Sequence, residues 1–412
     1  MTRVLVFSTL FPNAAQPNHG VFVENRLRHT LDLGDLEAQV VAPVPFFPFR
    51  HSMFGRYATF AKVPSRESRH GTDIWHPRFA VIPKVGATFA PGLLYAAALA
   101  QVRRLMQQGM AFDVIDAHYF YPDGVAAARL GRTLGLPVVI TGRGTDLTLI
   151  PESPGPRAQI QWAAAQASAM ITVCEDLRLR LVELGAEEAR TIVLRNGVDL
   201  SLFKTGDREA MRAKLGVKGF TLVSVGGLIP RKGHELVIES LVHSPDCSLL
   251  IAGGGPMRSE LEATAARCGV TDRVRFLGEL PHAELPDLYG AADVMVLASS
   301  REGWANVLLE AMACGTPVLA SNVNGTSEVV QAPEAGLLLA DRSAASIADA
   351  LAQLRRNLPD RAATRRYAER FDWLPIARAN KALLQAVAIA GYAGRRSNDI
   401  LKHANRHLLA VS

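Results

Sequence analysis

The chain of 412 residues carries a formal net charge of +6, with 49% hydrophobic and 20% charged residues. That balance excludes a disordered chain, and the length exceeds what one hydrophobic core serves, so two domains are expected. Apolar runs such as "APGLLYAAALA" fall short of the roughly 20 residues that a membrane span needs.

The opening "MTRVLVFSTLF" is one strand long before Pro12 and Asn13, too short for a secretory leader. Cys174, Cys247, Cys268 and Cys314 show no CxxC or Cys/His spacing, which reads as buried, reduced thiols. A cytoplasmic protein, neither exported nor integral to a membrane, is the expectation.

From the N-terminus, "RVLVFST" reads as a strand, a helix follows at about 21–33, and "AQVVAP" is the next strand. The region 45–85 reads as irregular. It holds Arg50, Arg56, Lys62, Arg66, Arg69, Arg78 and Lys84 against Glu67 and Asp73, with Phe46, Phe47, Phe49, Phe54, Tyr57 and Phe60 within or just before the run. Basic residues among aromatics suit an anionic membrane surface or single-stranded nucleic acid; a solvated loop over core aromatics is the plain alternative. Then come "GLLYAAALAQVRRLMQQG" as helix, "FDVIDAH" as strand, "DGVAAARLGRTLG" as helix and "PVVITG" as strand. A further helix leads to "AMITVC", another starts at Glu175, and "TIVLRNGVD" follows.

After the polar stretch 200–219 the alternation restarts with "FTLVSVGGL", "CSLLIAGGG", "RVRFLGEL", "ADVMVLAS", "PVLAS" and "AGLLLA" as strands. Strand then helix, repeated, predicts α/β domains with doubly wound parallel sheets. The expected division is 1–198, 199–370, and a terminal helix and tail over 371–412. Ligands in such sheets sit outside the carboxyl ends of the strands, and two domains face to face would hold one between them.

Three constellations lie in strand-end loops. In "VSVGGLIPRKGHELVIESL" a glycine turn and the cations Arg231 and Lys232 precede a helix, an anion site suited to a diphosphate. It is not a Walker loop, and "AGGGPMRSE" has Arg258 where a dinucleotide turn needs its third glycine, which disfavours an NAD-dependent oxidoreductase. In "SSREGWANVLLEAMACGTPVLAS", Glu302 lies in the turn and Glu310 on the helix. Eight helical residues span roughly 12 Å, more than the roughly 5–9.5 Å between glycosidase carboxylates. The pair therefore suits two ends of a long ligand, with the helix N-terminus between them for a phosphate. In the first half, His118 follows a strand in "IDAHYFYPDG", either as a hydroxyl donor or titrating group or as a structural residue; Arg143 and Asp146 in "TGRGTDL" are anion or hydroxyl binders, and Gly20 would let backbone approach a phosphate.

The motifs "RNGVD", "VGGLIPRKG", "AGGGP", "RVRFLG" and "SSREGWANVLLEAMACGTPVLAS", in this chain order, resemble the retaining glycosyltransferases of family 4, and the resemblance covers about residues 3–385. "LFPNAAQPNHGVFVENRL", "HPRF", "DAHYFYPDG" and "TGRGTDL" are similar to a bacterial branch making exopolysaccharide, teichuronic acid or related surface glycans.

The resemblance implies a GT-B fold, two facing Rossmann-like domains with a terminal helix crossing back onto the first. It implies a nucleotide-diphosphate sugar, UDP- or GDP-linked, as donor, with Arg231 and Lys232 on the diphosphate, Glu302 on a sugar hydroxyl and Glu310 on the ribose. The turn Gly303, Trp304, Ala305, Asn306 and Val307 would offer its amides, Phe276 and Leu277 would lie beside the base, and Gly227 and Asn196 belong to the donor motifs. From the first domain, Gly20 would approach the diphosphate and His118 the donor sugar, with Arg143, Asp146 and Tyr119 on the acceptor side. Many members have arginine where this chain has Gly227 and proline where it has Ala305. Transfer with retention, no metal and no protein nucleophile follows from the resemblance. The expected acceptor is a glycan or polyprenyl-linked sugar at the inner membrane face, with anionic lipid rather than nucleic acid as the surface partner. A nucleotide-sugar epimerase and a non-catalytic nucleotide-sugar-binding protein are the alternatives; a glycoside hydrolase is disfavoured by the carboxylate spacing.

Overall fold

The computed structural model describes residues 1–51, 53, 55–81 and 88–393. Phe54, Lys84 and the tail beyond 393 lie outside the described residues, as does the side chain of Arg56. The chain forms two compact units, Met1–Arg195 with the chain from Leu374 onward, and Asn196–Trp373.

Unit 1 contains β1 (Thr2–Phe7), β2 (Leu36–Val41), β3 (Val44–Pro45), β4 (Arg66–Arg69), β5 (Thr72–Trp75), β6 (Arg78–Phe79), β7 (Val114–His118), β8 (Val138–Gly142), β9 (Ala169–Thr172) and β10 (Thr191–Val193). Among the described residues these give an eight-stranded sheet in the order β10-β9-β8-β7-β1-β2-β5-β4 and a small β3-β6 pair. Every neighbour pair in the large sheet is parallel except β4–β5. Val4–Phe7 and all of β7, β8 and β9 are buried, as central strands covered on both faces must be.

The region read as irregular is therefore partly ordered. Arg66–Trp75 is a hairpin turning at His70 and Gly71, both at positive φ, and it extends the sheet edge. Its first strand alternates exposed and half-buried polar residues, so it has no apolar pattern to read. Arg69 ties the hairpin to Glu24 at 2.6 Å.

Unit 2 contains β11 (Phe220–Val225), β12 (Cys247–Ala252), β13 (Val274–Gly278), β14 (Val294–Leu297), β15 (Val318–Ser321) and β16 (Gly336–Leu339). Among the described residues they form one parallel sheet in the order β13-β12-β11-β14-β15-β16. Leu222, Leu249, Ile251, Val294, Val296 and Leu319 build its core with Val237, Ile238, Ile347 and Leu351 from covering helices. The polar stretch before β11 holds a helix, Arg208–Leu215, capped by the Asp207 side chain and ended by Gly216 in the left-handed region; none of its residues is buried, which hid it in the sequence.

The helix Trp373–Ala393 starts at the last residue of unit 2 and continues in unit 1. There Asn380 donates to the Thr30 hydroxyl at 3.2 Å, and Lys381 pairs with Asp35 at 2.7 Å.

In each sheet the order reverses beside the first strand of the unit: β1 lies between β2 and β7, and β11 between β12 and β14. The loops leaving β1 and β7, and those leaving β11 and β14, thus border the two crevices where doubly wound sheets take ligands.

The glycines of "VGG" and "AGGG" make the unit 2 crevice possible. A Cβ on Gly253 would lie 1.9 Å from the Gly226 carbonyl oxygen, and one on Gly255 2.5 Å from that of Leu228. These glycines are required by backbone packing between the loops after β11 and β12, which accounts for the run without a dinucleotide. Gly253→Ala, at φ 148°, is expected to destabilise the protein by about 2 kcal/mol or more, whereas Gly227→Ala, whose Cβ would meet only the Gly254 oxygen at 3.8 Å, costs under about 1 kcal/mol. Urea denaturation of both variants checks this; equal midpoints would refute the close-approach argument.

Candidate active site

At the unit 2 crevice the turn after β11 is pressed onto the end of β14. A Cβ on Gly233 would lie 2.1 Å from the Ala298 carbonyl oxygen, and the Ser300 amide donates to the Arg231 carbonyl at 2.8 Å. This brings together residues that are remote in the chain. Lys232 Nζ donates to Glu302 Oε1 at 2.6 Å, and Arg231 Nη1 lies 3.3 Å from Glu302 Oε2. Arg231 Nη1 also donates to the Arg301 carbonyl at 2.7 Å, and Ser299 Oγ donates to Glu302 Oε1 at 2.7 Å. Burial pushes the Glu302 pKa up, but Lys232, Arg231 and the Ser299 hydroxyl outweigh it and hold the carboxyl below its ordinary value. The cluster is two cations and one ionised carboxylate.

The turn after Glu302 feeds the helix Asn306–Ala313. Trp304 is buried, with its ring 6.1 Å from that of Phe371, and Ala305 is buried too, so this turn presents backbone rather than side chains. Asn196 donates to Asn306 Oδ1 at 3.2 Å, which anchors the first residue of the helix; Val307 beside it is half-buried. Glu310, on the same helix, accepts from Tyr289 Oη at 3.1 Å and from His282 Nε2 at 3.1 Å. His282 in turn stands edge-on to Phe203, centroids 5.0 Å apart. Burial above all, then Glu310, raises the Tyr289 pKa well above its ordinary value, so the phenol stays a donor. The two glutamates thus have different settings, one among an ammonium and a guanidinium and one between a phenol and an imidazole, and do not form a pair across one bond.

At the end of β13, Phe276 lies under the Arg258 guanidinium, 4.4 Å from the ring centroid, with half-buried Leu277 next in the strand. Ser299, His282, Tyr289, Phe203 and Arg258 do not stand out as ligand groups in the sequence. Ser299 lies two residues before the "REG" turn, and its place after a strand was a usable signal; the other partners come from remote elements and carry no local signal.

In unit 1, Gly20 opens the helix Val21–Leu31 at φ 75°, and a Cβ there would lie 2.4 Å from the Leu10 carbonyl oxygen. Packing on its own loop is sufficient reason for a glycine at this position. His118 ends β7 and is buried. Arg143, which can only donate, gives a hydrogen bond to His118 Nδ1 at 2.8 Å, so the imidazole proton is on Nε2, facing Asp116 Oδ2 at 3.4 Å. Burial lowers the His118 pKa more than Asp116 raises it, which keeps the ring neutral. Both ring nitrogens therefore have partners inside unit 1.

Asp146 is committed still more fully. Its carboxylate accepts the amides of Phe120 at 2.6 Å, Gly144 at 2.7 Å and Arg143 at 3.0 Å. Of the two residues read as anion or hydroxyl binders, Arg143 here orients His118 and Asp146 builds the loop after β8. Tyr119, half-buried at φ 82°, takes a backbone conformation that non-glycine residues seldom adopt, next to His118 in the chain.

Residues 58–202 match the family model of Glycosyltransferase Family 4, and residues 207–371 that of glycosyl transferases group 1. TuaC of Bacillus subtilis, which bears the name of a teichuronic acid biosynthesis glycosyltransferase, is 30% identical over 361 residues, covering 85% of this chain and 88% of its own. The chain belongs to glycosyltransferase family 4.

Other family 4 relatives include a D-inositol 3-phosphate glycosyltransferase of Geodermatophilus obscurus, 31% identical over 78% of this chain and 77% of its own. Among solved structures, Anabaena HepE in complex with UDP superposes with a TM-score of 0.70 at 22% identity, over 94% of this chain and 100% of that one. The sucrose-phosphate synthase of Thermosynechococcus elongatus gives 0.72 at 20% identity, over 100% of each. These likenesses place the glycosyltransferase in the GT-B fold class. At Gly227, where many family 4 members carry arginine, the position is exposed and has room for a side chain.

A buried histidine follows the two cations in the chain. His234, just after Lys232 and Gly233, shares a 2.9 Å hydrogen bond with Ser224 and has its pKa pushed down to about 4, first by burial and then by Lys232. Because this lies below the unfolded value of 6.5, the unfolded chain binds more protons in between. The stabilisation from the neutral ring is complete above about pH 6.5 and is lost as pH falls toward 4. Wild type is expected to gain up to about 3 kcal/mol relative to His234→Gln across that window. Denaturation midpoints of both proteins from pH 4.5 to 7 decide it; a constant difference overturns the assignment.

Proposed function

We propose that this family 4 enzyme is a retaining glycosyltransferase that moves a sugar from a nucleotide-diphosphate donor, UDP- or GDP-linked, to a glycan or polyprenyl-linked acceptor in bacterial surface polysaccharide synthesis. The observation that carries the reading is the Arg231–Lys232–Glu302 cluster at the strand-order reversal of unit 2. The name of TuaC supports the surface-glycan part.

The barrier in such a transfer is departure of a diphosphate from an anomeric carbon with oxocarbenium character. Arg231, Lys232 and the amides at the start of the helix Asn306–Ala313 would hold the leaving oxygens and stabilise charge as it develops. The anomeric C–O bond to phosphate breaks, the acceptor oxygen bonds to the same face, and the acceptor's proton passes to the departing phosphate oxygen. No protein nucleophile is called for in this scheme. Glu310, fixed by Tyr289 and His282, would take the ribose hydroxyls, Glu302 a sugar hydroxyl, and Phe276 and Leu277 the base. For His118 the reading assigns contact with the donor sugar, which requires one ring nitrogen to exchange its present partner.

The donor is found by thermal-shift screening against UDP, GDP and ADP sugars, and transfer is then followed as nucleoside diphosphate release with a polyprenyl-diphosphate-linked saccharide. Lys232→Ala is expected to lower kcat by roughly a hundredfold or more, with under tenfold loss of free nucleotide affinity, while Glu310→Ala raises donor KM by about tenfold or more with a smaller effect on kcat. Normal turnover in the first variant or a normal KM in the second removes that residue's role. Sugar conversion without acceptor would favour an epimerase, and binding with no turnover a non-catalytic protein.

Within unit 1, Phe46 and Phe49 are 60% and 56% exposed, Arg50 next in the chain is exposed, and so is Lys62. Arg66, Arg69 and Arg78 are engaged instead with Asp73, Glu24 and the Phe60 and Val63 carbonyls. Among the described residues no helix is long and apolar enough to cross a membrane. Exposed aromatics with nearby cations fit peripheral attachment to anionic lipid. Cosedimentation with phosphatidylglycerol vesicles at low salt, lost at high salt, is the expected result; no binding at low salt refutes the attachment.

A further inference from the structure

We propose that Glu302 is a resident counter-charge: it competes with a bound diphosphate for Arg231 and Lys232, and so sets how readily the nucleoside diphosphate product leaves. The proposal rests on the reading that unit 2 binds a nucleotide-diphosphate donor, and it adds a regulation of that site which a hydroxyl-binding glutamate does not provide.

The carboxylate is placed to act on both cations at once. Oε1 takes the Lys232 ammonium at 2.6 Å and Oε2 faces Arg231 Nη1 at 3.3 Å. The Ser299 hydroxyl donates to Oε1 at 2.7 Å and helps hold the carboxylate there, while Asn324 Oδ1 accepts the Glu302 backbone amide at 3.3 Å and fixes the main chain. Only 8% of the Glu302 side chain is exposed, against 14% for Lys232 and 29% for Arg231. At this burial, attraction between unit charges a few ångströms apart is screened far less than in water.

The cations nevertheless keep donors for a ligand. An ammonium has three N–H groups and a guanidinium five, so pairing with Glu302 leaves several of each unused by that contact. What Glu302 removes is net charge: a diphosphate meets a local charge of about +1 rather than +2. In the ground state this weakens the grip on a nucleoside diphosphate. Product departure is the slow step in many well-evolved enzymes, and a site built from two uncompensated cations would retain its own leaving group.

The two possible roles of Glu302 differ in sign for a ligand without a sugar. A glutamate that only binds a sugar hydroxyl leaves the affinity for free UDP or GDP unchanged when it is neutralised. A counter-charge makes that affinity rise. Isothermal titration of the full chain with UDP and with GDP is the test, on wild type, Glu302→Gln, Glu302→Asp and Ser299→Ala.

The expected result is about tenfold or tighter binding of the preferred nucleotide by Glu302→Gln, with a steeper fall as salt is raised. Glu302→Asp, which keeps the charge, stays within about threefold of wild type. Ser299→Ala frees the carboxylate from its hydroxyl donor without removing it, and it tightens binding by a smaller factor, about twofold to threefold; it decides between the two roles if Glu302→Gln fails to fold. In single-turnover and steady-state transfer, Glu302→Gln shows a steady-state rate limited by nucleoside diphosphate release. Unchanged or weaker nucleotide binding in folded Glu302→Gln, or in Ser299→Ala where the former does not fold, overturns the counter-charge while leaving the donor reading intact. Failure of wild type to bind any nucleoside diphosphate or nucleotide sugar overturns both.

Discussion

The geometry of the unit 2 site depends on one contact, the approach of the Gly233 backbone to the Ala298 carbonyl. With any side chain at 233, the turn after β11 would be held away from the end of β14. Lys232 and Glu302 could then not meet, and Arg231 could not reach the Arg301 carbonyl. The neighbouring approaches of Gly253 and Gly255 act in the same way, by fitting the loop after β12 under that turn. Side-chain chemistry in this site is thus placed by main chain that has no side chains.

Electrostatics then work at short range. The overall charge of +6 says little about the cluster, where two cations face one carboxylate, or about unit 1, where Arg143, His118 and Asp116 lie in contact within a buried layer. Buried charges persist only when partnered, and each of these has a partner. The arrangement at His118 fixes the ring's tautomer, and it does so with a guanidinium, so protonation of that imidazole is opposed from two directions, by burial and by a neighbouring cation.

Much of this was legible in the chain. Continuous apolar runs announced the central strands because both of their faces are covered, and the position of Arg231, Lys232 and Glu302 just after strands, with Glu310 on the helix that follows, marked them as candidate site residues. The edge hairpin Arg66–Trp75 and the helix Arg208–Leu215 were not legible, because elements that bury little carry little pattern. Arg143 and Asp146 show the converse limit. Their type and loop position suit a ligand, yet sequence gives charge without burial, and both are directed inward. The partners of Glu310 escaped for a third reason: Tyr289 and His282 are 21 and 28 residues away, and only the sheet order brings them to the same carboxylate.

The edge hairpin has a consequence for how the protein behaves in company. A parallel sheet ending at β5 would present an open row of backbone donors and acceptors to any other strand. Instead the outermost strand, β4, is four residues long, runs the opposite way, and carries Arg66, Glu67 and Arg69. The far edge, β10, is only three residues long. A foreign strand arriving at either border meets too short a template and, on one side, a row of charges that it would have to desolvate. The sheet is thereby closed to growth, and a chain that is 49% hydrophobic can be concentrated without the borders of its largest sheet becoming seeds for aggregation.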